Sequence, residues 1–318
     1  MAISQENKKE PALHLESVSW GGLTWINIEQ PTKQEIDYLA KNYPFHPLDL
    51  DDCLSRIQRP KIDEYKEYLF LVLHLPRFHK EKRVTSASQV SVFIGENYLI
   101  TLHSGELKPL VNFFHQCQLD EKVRQDNFTS GSGFLLYRII DRLIDYLFPI
   151  LDKILAEVDN IEDSVFDEHV AVAEDLAVLR RDIIAQRRII WPMRAVIGSL
   201  EPKLRRFSRV DLSVYFGDTI DHMDKIWDNL DECKEVIEVF KDTDYILSTE
   251  HVNRVLRTLT ILSTIILPFL LVSSIYGMNV HLPGGLTDGS PWTFIILLGL
   301  MSLMTGSMLY FFHRKDWI

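Results

Sequence analysis

The chain has 318 residues, 46% of them hydrophobic and 25% charged, with a formal net charge of −11. Its length leaves room for two or three domains at roughly 100–200 residues each, and its acidity argues against a nucleic-acid partner. The averages hide a split: from Thr258 to Phe312 the only formally charged residue is Asp288, so the acidic, soluble character belongs to the part before it.

The amino-terminal stretch MAISQENKKEPALHLES has no apolar core of the kind a secretory signal carries, so the large domain is expected to stay in the cytosol. Residues 1–130 read as a cytoplasmic α/β domain. Leu23–Glu29, Glu67–Phe78 and Ser88–His103 are rich in β-branched and aromatic residues, and Gly95-Glu96-Asn97 marks a hairpin turn inside the last. TKQEIDYLAKNY and HPLDLDDCL read as helices, the second opened by Pro47 and carrying Asp49, Asp51 and Asp52. Cys53, Cys117 and Cys233 are scattered, with no CxxC pair, which fits a reducing compartment and gives no thiolate metal site.

From about Ser132 the apolar period becomes helical. Residues 131–209 read as a long antiparallel helical pair, GFLLYRIIDRLIDYLFPILDKILAEVDNIEDSVF and VAEDLAVLRRDIIAQRRIIWPMRAVIGSL. The basic runs RRDIIAQRR and PKLRRFSR are expected to pair with acids on adjacent helices.

Residues 210–279 read as one stalk helix that continues into an apolar span. After Gly217 no glycine, and no proline before Pro268, interrupts it up to the YGMN stretch. A helix of about 60 residues is about 90 Å long. Such a helix needs partners along its length. Near its start Asp218, Asp221 and His222 share one face, being three and four residues apart; by themselves they are either a solvated surface or ligands.

Thr258–Tyr276 and Pro291–Phe312 each reach the roughly 20 apolar residues that cross a bilayer core. Arg254 and Arg257 precede the first, Arg314 and Lys315 follow the second, and the 280–290 loop has no Lys or Arg. The positive-inside rule puts both termini and the 313–318 tail in the cytoplasm and the loop outside, giving a multi-pass cell-membrane protein. Reading the first span at alternating steps of three and four gives Thr249, Asn253, Leu256, Thr260, Ser263, Leu267, Leu270, Ser274 and Gly277. This is a seam of period 3.5, half of it polar. Its small residues suit close helix packing in lipid; equally, several copies around an axis make a narrow, weakly polar path with leucine constrictions. Two spans per chain cannot enclose a pore, so transport requires a closed homo-oligomer with the first span inside and the second facing lipid.

At IYGMN the sequence resembles the CorA family of divalent-metal transporters. The likeness rests on Gly277-Met278-Asn279 at the end of the first of two terminal spans and on the basic tail HRKDWI. HPLDLDDCLSRIQRPKIDEYKEYLFLVL, IIWPMR and the place of Pro268 extend it over most of the chain. The resemblance implies a funnel-shaped homopentamer of α/β domains and long helices, its mouth ringed by Asn279 as a selectivity filter with Gly277 and Met278. It implies Mg²⁺ as transported and regulatory ion, with Co²⁺ or Ni²⁺ as passengers. It also implies that Asp52 and Asp218 of neighbouring subunits share a cytoplasmic divalent ion, with Asp51 and Asp141 in a second site and His222 near it.

The loop VHLPGGLTDGSP departs from the family pattern. It lacks the acidic MPEL segment that many Mg²⁺-moving members carry, and leans toward the related ZntB branch, associated with zinc. His281 is either solvated or a ligand that suits Zn²⁺ or Co²⁺ better than Mg²⁺. The intact GMN favours CorA. No GxxxxGK[ST], HExxH or strand-to-helix GxGxxG supports pump, protease or other enzymatic chemistry. Rival readings are a zinc transporter, with or without proton coupling, and a membrane-anchored oligomeric sensor or adaptor.

Overall fold

The computed structural model describes residues 13–55, 58–79, 84–165, 172–278, 291–315 and 317. It divides into two compact units, Met1–Lys241 and Asp242–Ile318.

The first unit is built on one sheet. Strands β1 (Leu15–Trp20), β2 (Leu23–Glu29), β3 (Lys61–Glu64), β4 (Tyr68–His79), β5 (Val84–Gly95) and β6 (Tyr98–His103) lie in the order β1-β2-β6-β5-β4-β3. All neighbours are antiparallel except β2 and β6, which run parallel with Thr24 opposite Tyr98. β4 reads as a continuous apolar run because both its faces are covered. Leu69, Leu71, Leu73 and Leu75 enter one core, and Tyr68, Phe70 and Val72 enter another.

The smaller core sits under α1 (Lys33–Asn42) and α2 (Pro47–Leu54), whose Ile36, Leu39, Leu50 and Cys53 meet Phe70, Phe93 and Ile100. Thr32 caps α1 in a capping box with Glu35. Pro47 starts α2 as expected, its missing N–H being one that a first turn leaves unbonded anyway. The larger core joins the opposite face to α3 (Lys108–Leu119), α4 (Glu121–Phe128), α5 (Ser132–Asp145), α6 (Leu147–Val165), α7 (Ala173–Gly198), the short α8 (Glu201–Leu204) and the start of α9 (Ser213–Tyr276).

The first arm of the expected helical pair is not one helix. It breaks at Tyr146, between α5 and α6. Pro149 supplies the reason: it has no N–H for the Asp145 carbonyl and its ring crowds that oxygen. The long helix is realised as the 64 residues of α9, about 96 Å at 1.5 Å per residue.

The second unit holds the rest of α9 and α10 (Pro291–Arg314). Both helices are long and apolar enough to cross a membrane, and neither apolar window is buried within the chain.

Candidate metal pathway and acidic sites

Within the second unit the helix α9 presents two rows. Every seam residue is exposed: Thr249, Asn253, Leu256, Thr260, Ser263, Leu267, Leu270, Ser274 and Gly277. Ile261, Thr264, Ile265, Pro268, Val272 and Tyr276 are half-covered. At 100° per residue the two rows are centred about 145° apart, on broadly opposite sides of the helix. Val272, Ser273, Tyr276 and Gly277 share a shallow apolar gap of about 310 Å³ with Phe294, Leu297 and Met301 of α10. The covered row thus meets α10 through Val272 and Tyr276; the seam up to Ser274 lies outside this gap, and only its last member, Gly277, reaches it.

The seam hydroxyls are oriented by their own backbone. Thr249 Oγ1 donates to the Tyr245 carbonyl at 2.8 Å and Thr260 Oγ1 to that of Leu256 at 2.7 Å. With its one proton used inside the helix, each hydroxyl keeps lone pairs for an outside donor, such as a metal ion's hydration water.

The helix closes at Gly277, whose N–H donates to the Ser273 carbonyl at 2.9 Å, while Met278 N–H donates to Ile275 at 3.3 Å. A Cβ on Gly277 would stand 2.9 Å from the Ser273 oxygen, closer than side-chain carbons normally come. Glycine is therefore required here by close approach to backbone. Asn279, His281 and Asp288 lie outside the described residues.

In the first unit the three acids of α2 separate in role. Asp49 is buried, and its carboxylate accepts hydrogen bonds from the Tyr68 and Tyr65 hydroxyls at 3.0 and 3.3 Å. Burial raises its pKa, against the pull of those two hydroxyls; Asp49 ties α2 to the sheet. Asp52 is largely covered and held by Lys61 Nζ at 2.7 Å and Gln58 Nε2 at 2.6 Å. Asp51 is exposed.

A second group forms where α5 meets α9. His222 Nε2 stands 3.8 Å from Asp218 Oδ1, and its Nδ1 3.9 Å from Asp145 Oδ1. Its ring meets Phe148 edge-on at 5.3 Å. Burial first, then the charges of Asp145 and Asp218, push the Asp141 carboxyl above the ordinary range, while Arg138, 3.4 Å away, and His222 oppose them. The structure therefore gathers Asp141, Asp218 and His222. It adds Asp145, which the sequence reading missed although it lies one helical turn after Asp141. No hydrogen bond or ion pair among the described residues links Asp51 or Asp52 to this group. Nor do any three or more His, Cys, Asp or Glu side chains among the described residues form a group that could hold a metal alone.

The comparisons with known proteins run the length of the chain. The cobalt/magnesium transport protein CorA of Thermotoga maritima is 27% identical, over 93% of this chain and 83% of that one. The zinc transport protein ZntB of Enterobacter sp. is 19% identical, over 92% and 88%. The solved structure of the CorA magnesium transporter from Methanocaldococcus jannaschii superposes with a TM-score of 0.78, covering 96% of this chain and 95% of that one at 24% identity, so the two share a fold. The family model described as CorA-like Mg2+ transporter protein matches residues 20–314. Two apolar terminal helices, the GMN stretch ending the first of them and this full-length match together place the chain in the family of CorA-like Mg²⁺ transporter proteins.

Proposed function

We propose that the protein forms a homopentameric channel that admits Mg²⁺, and Co²⁺ or Ni²⁺ with it, down the electrochemical gradient. The observation that carries this reading is the seam of α9, exposed throughout and, from Thr249 to Ser274, outside the gap that α9 shares with α10. A helix that only anchored the protein would use such a file for packing between copies alone, whereas a path also uses its oxygen acceptors. α10 exposes Phe294, Ile295, Ile296, Leu298 and Leu300, a surface suited to lipid.

An inside-negative potential of 100 mV favours entry of a divalent ion by about 4.6 kcal/mol, so no other energy source is needed. Mg²⁺ gives up its water reluctantly. A ring of Asn279 amide oxygens and Gly277 carbonyls accepts hydrogen bonds from the hydrated ion without stripping it, whereas carboxylates would hold it longer. Below the mouth the seam hydroxyls continue to offer acceptors, and Leu270, Leu267 and Leu256 make constrictions that close by dewetting.

Cytoplasmic divalent ions supply the gate. Asp52 and Asp218 of adjacent subunits, with Asp51, Asp141 and His222 close by, repel one another across the boundary until a cation bridges them. Bridged, the subunits hold the constriction shut; unbridged, they loosen and the path hydrates. Among the described residues no donor set on one chain is large enough to hold an ion alone, which fits ligands shared between copies.

Zinc is the second reading. It is favoured by the full-length likeness to a zinc transport protein and by an external loop whose only acid is Asp288. Purified protein in liposomes, loaded with metal-sensing dye and given an inside-negative potential, separates the two. Mg²⁺ influx exceeding Zn²⁺ influx supports the proposal. Zn²⁺ influx alone, or dependent on a proton gradient, replaces it with the zinc reading, and absence of any divalent flux leaves an anchored sensor.

A further inference from the structure

The basic runs of α7 largely pair with acids on α9, as expected: Arg180 with Glu238, Arg187 with Asp231, and Arg194 with Asp224. Arg188 stands apart. Among the described residues it has no ion-pair or hydrogen-bond partner, and neither has Arg59 or Lys234. These three and Arg187 line one groove of about 710 Å³ in the first unit, and none of its lining residues is acidic. A chain of net charge −11 has thus collected four cations around a concavity with no carboxylate among the described residues of its wall. Arg187 is already compensated by Asp231, but the three unpaired charges of Arg59, Arg188 and Lys234 facing one cavity repel, and that repulsion is relieved when an anion enters.

The same groove has an aromatic wall. Trp191 is 56% exposed and tilts against Trp227, their ring centroids 4.8 Å apart. The Arg187 guanidinium lies over Trp227 at 4.4 Å, and its ion pair with Asp231 fixes it there. This leaves the exposed surface of Trp191 free for a planar ring. An exposed tryptophan beside unpaired guanidinium and ammonium groups combines two recognitions, stacking on a π-face and charge-assisted hydrogen bonding to phosphate oxygens. The volume lies within the roughly 300–1,000 Å³ usual for small-molecule sites.

We infer that this groove binds a nucleoside phosphate, with its base against Trp191 and its phosphates on Arg59, Arg188 and Lys234. A mononucleotide fits better than a nucleic acid, because the acidity of the whole chain repels a long polyanion.

The test is calorimetric titration of the full-length protein in detergent micelles, in metal-free buffer, with ADP, adenosine and pyrophosphate. ADP is expected to bind saturably, and adenosine and pyrophosphate each about tenfold or more weaker. Arg188→Ala, at an exposed position, weakens ADP about tenfold without changing thermal stability. Trp191→Ala brings ADP down to the level of pyrophosphate and leaves pyrophosphate unchanged. The inference is overturned if pyrophosphate binds the native protein as well as ADP does, or if ADP binding survives Arg59→Glu combined with Arg188→Glu. It is equally overturned if no ligand gives saturable heat, the outcome expected when carboxylates of a second copy fill the groove.

Discussion

Lys61 holds Asp52 through a contact of 2.7 Å between its ammonium and the carboxylate. Burial works against the charged ammonium, but the hydrogen bonds it donates to Asp52 and Asp63 outweigh it and raise the Lys61 pKa, so the lysine stays charged throughout the physiological range. A regulatory cation arriving at Asp52 therefore competes with a cation already in place. Lys61→Met should lower the internal Mg²⁺ that half-inhibits flux by about two- to fivefold, the scale of a partly exposed ion pair. Asp52→Asn should instead blunt inhibition while leaving permeation intact. Patch or liposome recordings with controlled internal Mg²⁺ measure both; unaltered inhibition in Asp52→Asn and Asp218→Asn alike would remove the sensor.

Asp141 carries the other regulatory prediction. Its folded pKa is raised, by burial and by Asp145, so its contribution to stability is full below the unfolded value and lost as pH rises through the folded one. On the proposed assignment, a divalent ion would offset the cost of ionising Asp141 in this buried, acidic setting. Asp141→Asn should leave the thermal midpoint in EDTA unchanged or higher, and should reduce the increase in midpoint that millimolar Mg²⁺ gives the native protein. A lower midpoint in EDTA with the Mg²⁺ response intact would contradict the assignment.

His103 predicts acid sensitivity in the α/β domain. It is buried, its Nε2–H donates to Asn27 Oδ1 at 2.9 Å, and its Nδ1 accepts from the Gly105 N–H at 3.0 Å. Burial lowers its pKa to about 4. With the folded value below the unfolded one, stability is present above the unfolded pKa of about 6.5 and drains away as pH falls toward 4. His103→Gln should cost about 1–2 kcal/mol at neutral pH, the range for a buried hydrogen bond, and should flatten the fall in thermal midpoint between pH 6.5 and 4 relative to the native protein.

Gly277 is required at the end of α9 because a Cβ would press on the Ser273 carbonyl oxygen from 2.9 Å. Gly277→Ala should therefore displace Met278 and the chain beyond it, and reduce flux by an order of magnitude or more while the assembled protein still purifies normally. Flux equal to the native protein's would show that the helix end has no part in placing the mouth. The expected size follows from the sensitivity of coordinated sites to displacements near 1 Å.

The elements legible in the sequence were those with a strong period. The helices α1, α2 and α9 and the hairpin turn at Gly95–Asn97 carry clear signals, as do the two apolar spans. β1 and β3 were not anticipated, because LESVSW and KIDE are short edge strands with little apolar content. The parallel pairing of β2 with β6 rests on contacts between residues more than 70 apart, which no local pattern encodes. In the sites, spacing along one helix brought out Asp218 and His222, yet the same spacing on α5 pointed to Asp145 and went unused. Lys61 as the partner of Asp52 could not be read at all, since a strand and a helix meet there only after folding.

The most direct test of the account is thiol block of ion flux. The native cysteines Cys53, Cys117 and Cys233 are all buried, so background reaction is small. Single substitutions Thr260→Cys, Ser263→Cys and Ser274→Cys on the seam, and Ile261→Cys, Ile265→Cys and Val272→Cys on the covered row, are to be reconstituted and exposed to a charged thiol reagent during Mg²⁺ influx. If α9 lines the path, the seam set loses flux on modification and the covered set does not. Block confined to the covered row, or none at the seam in vesicles that conduct, would contradict it.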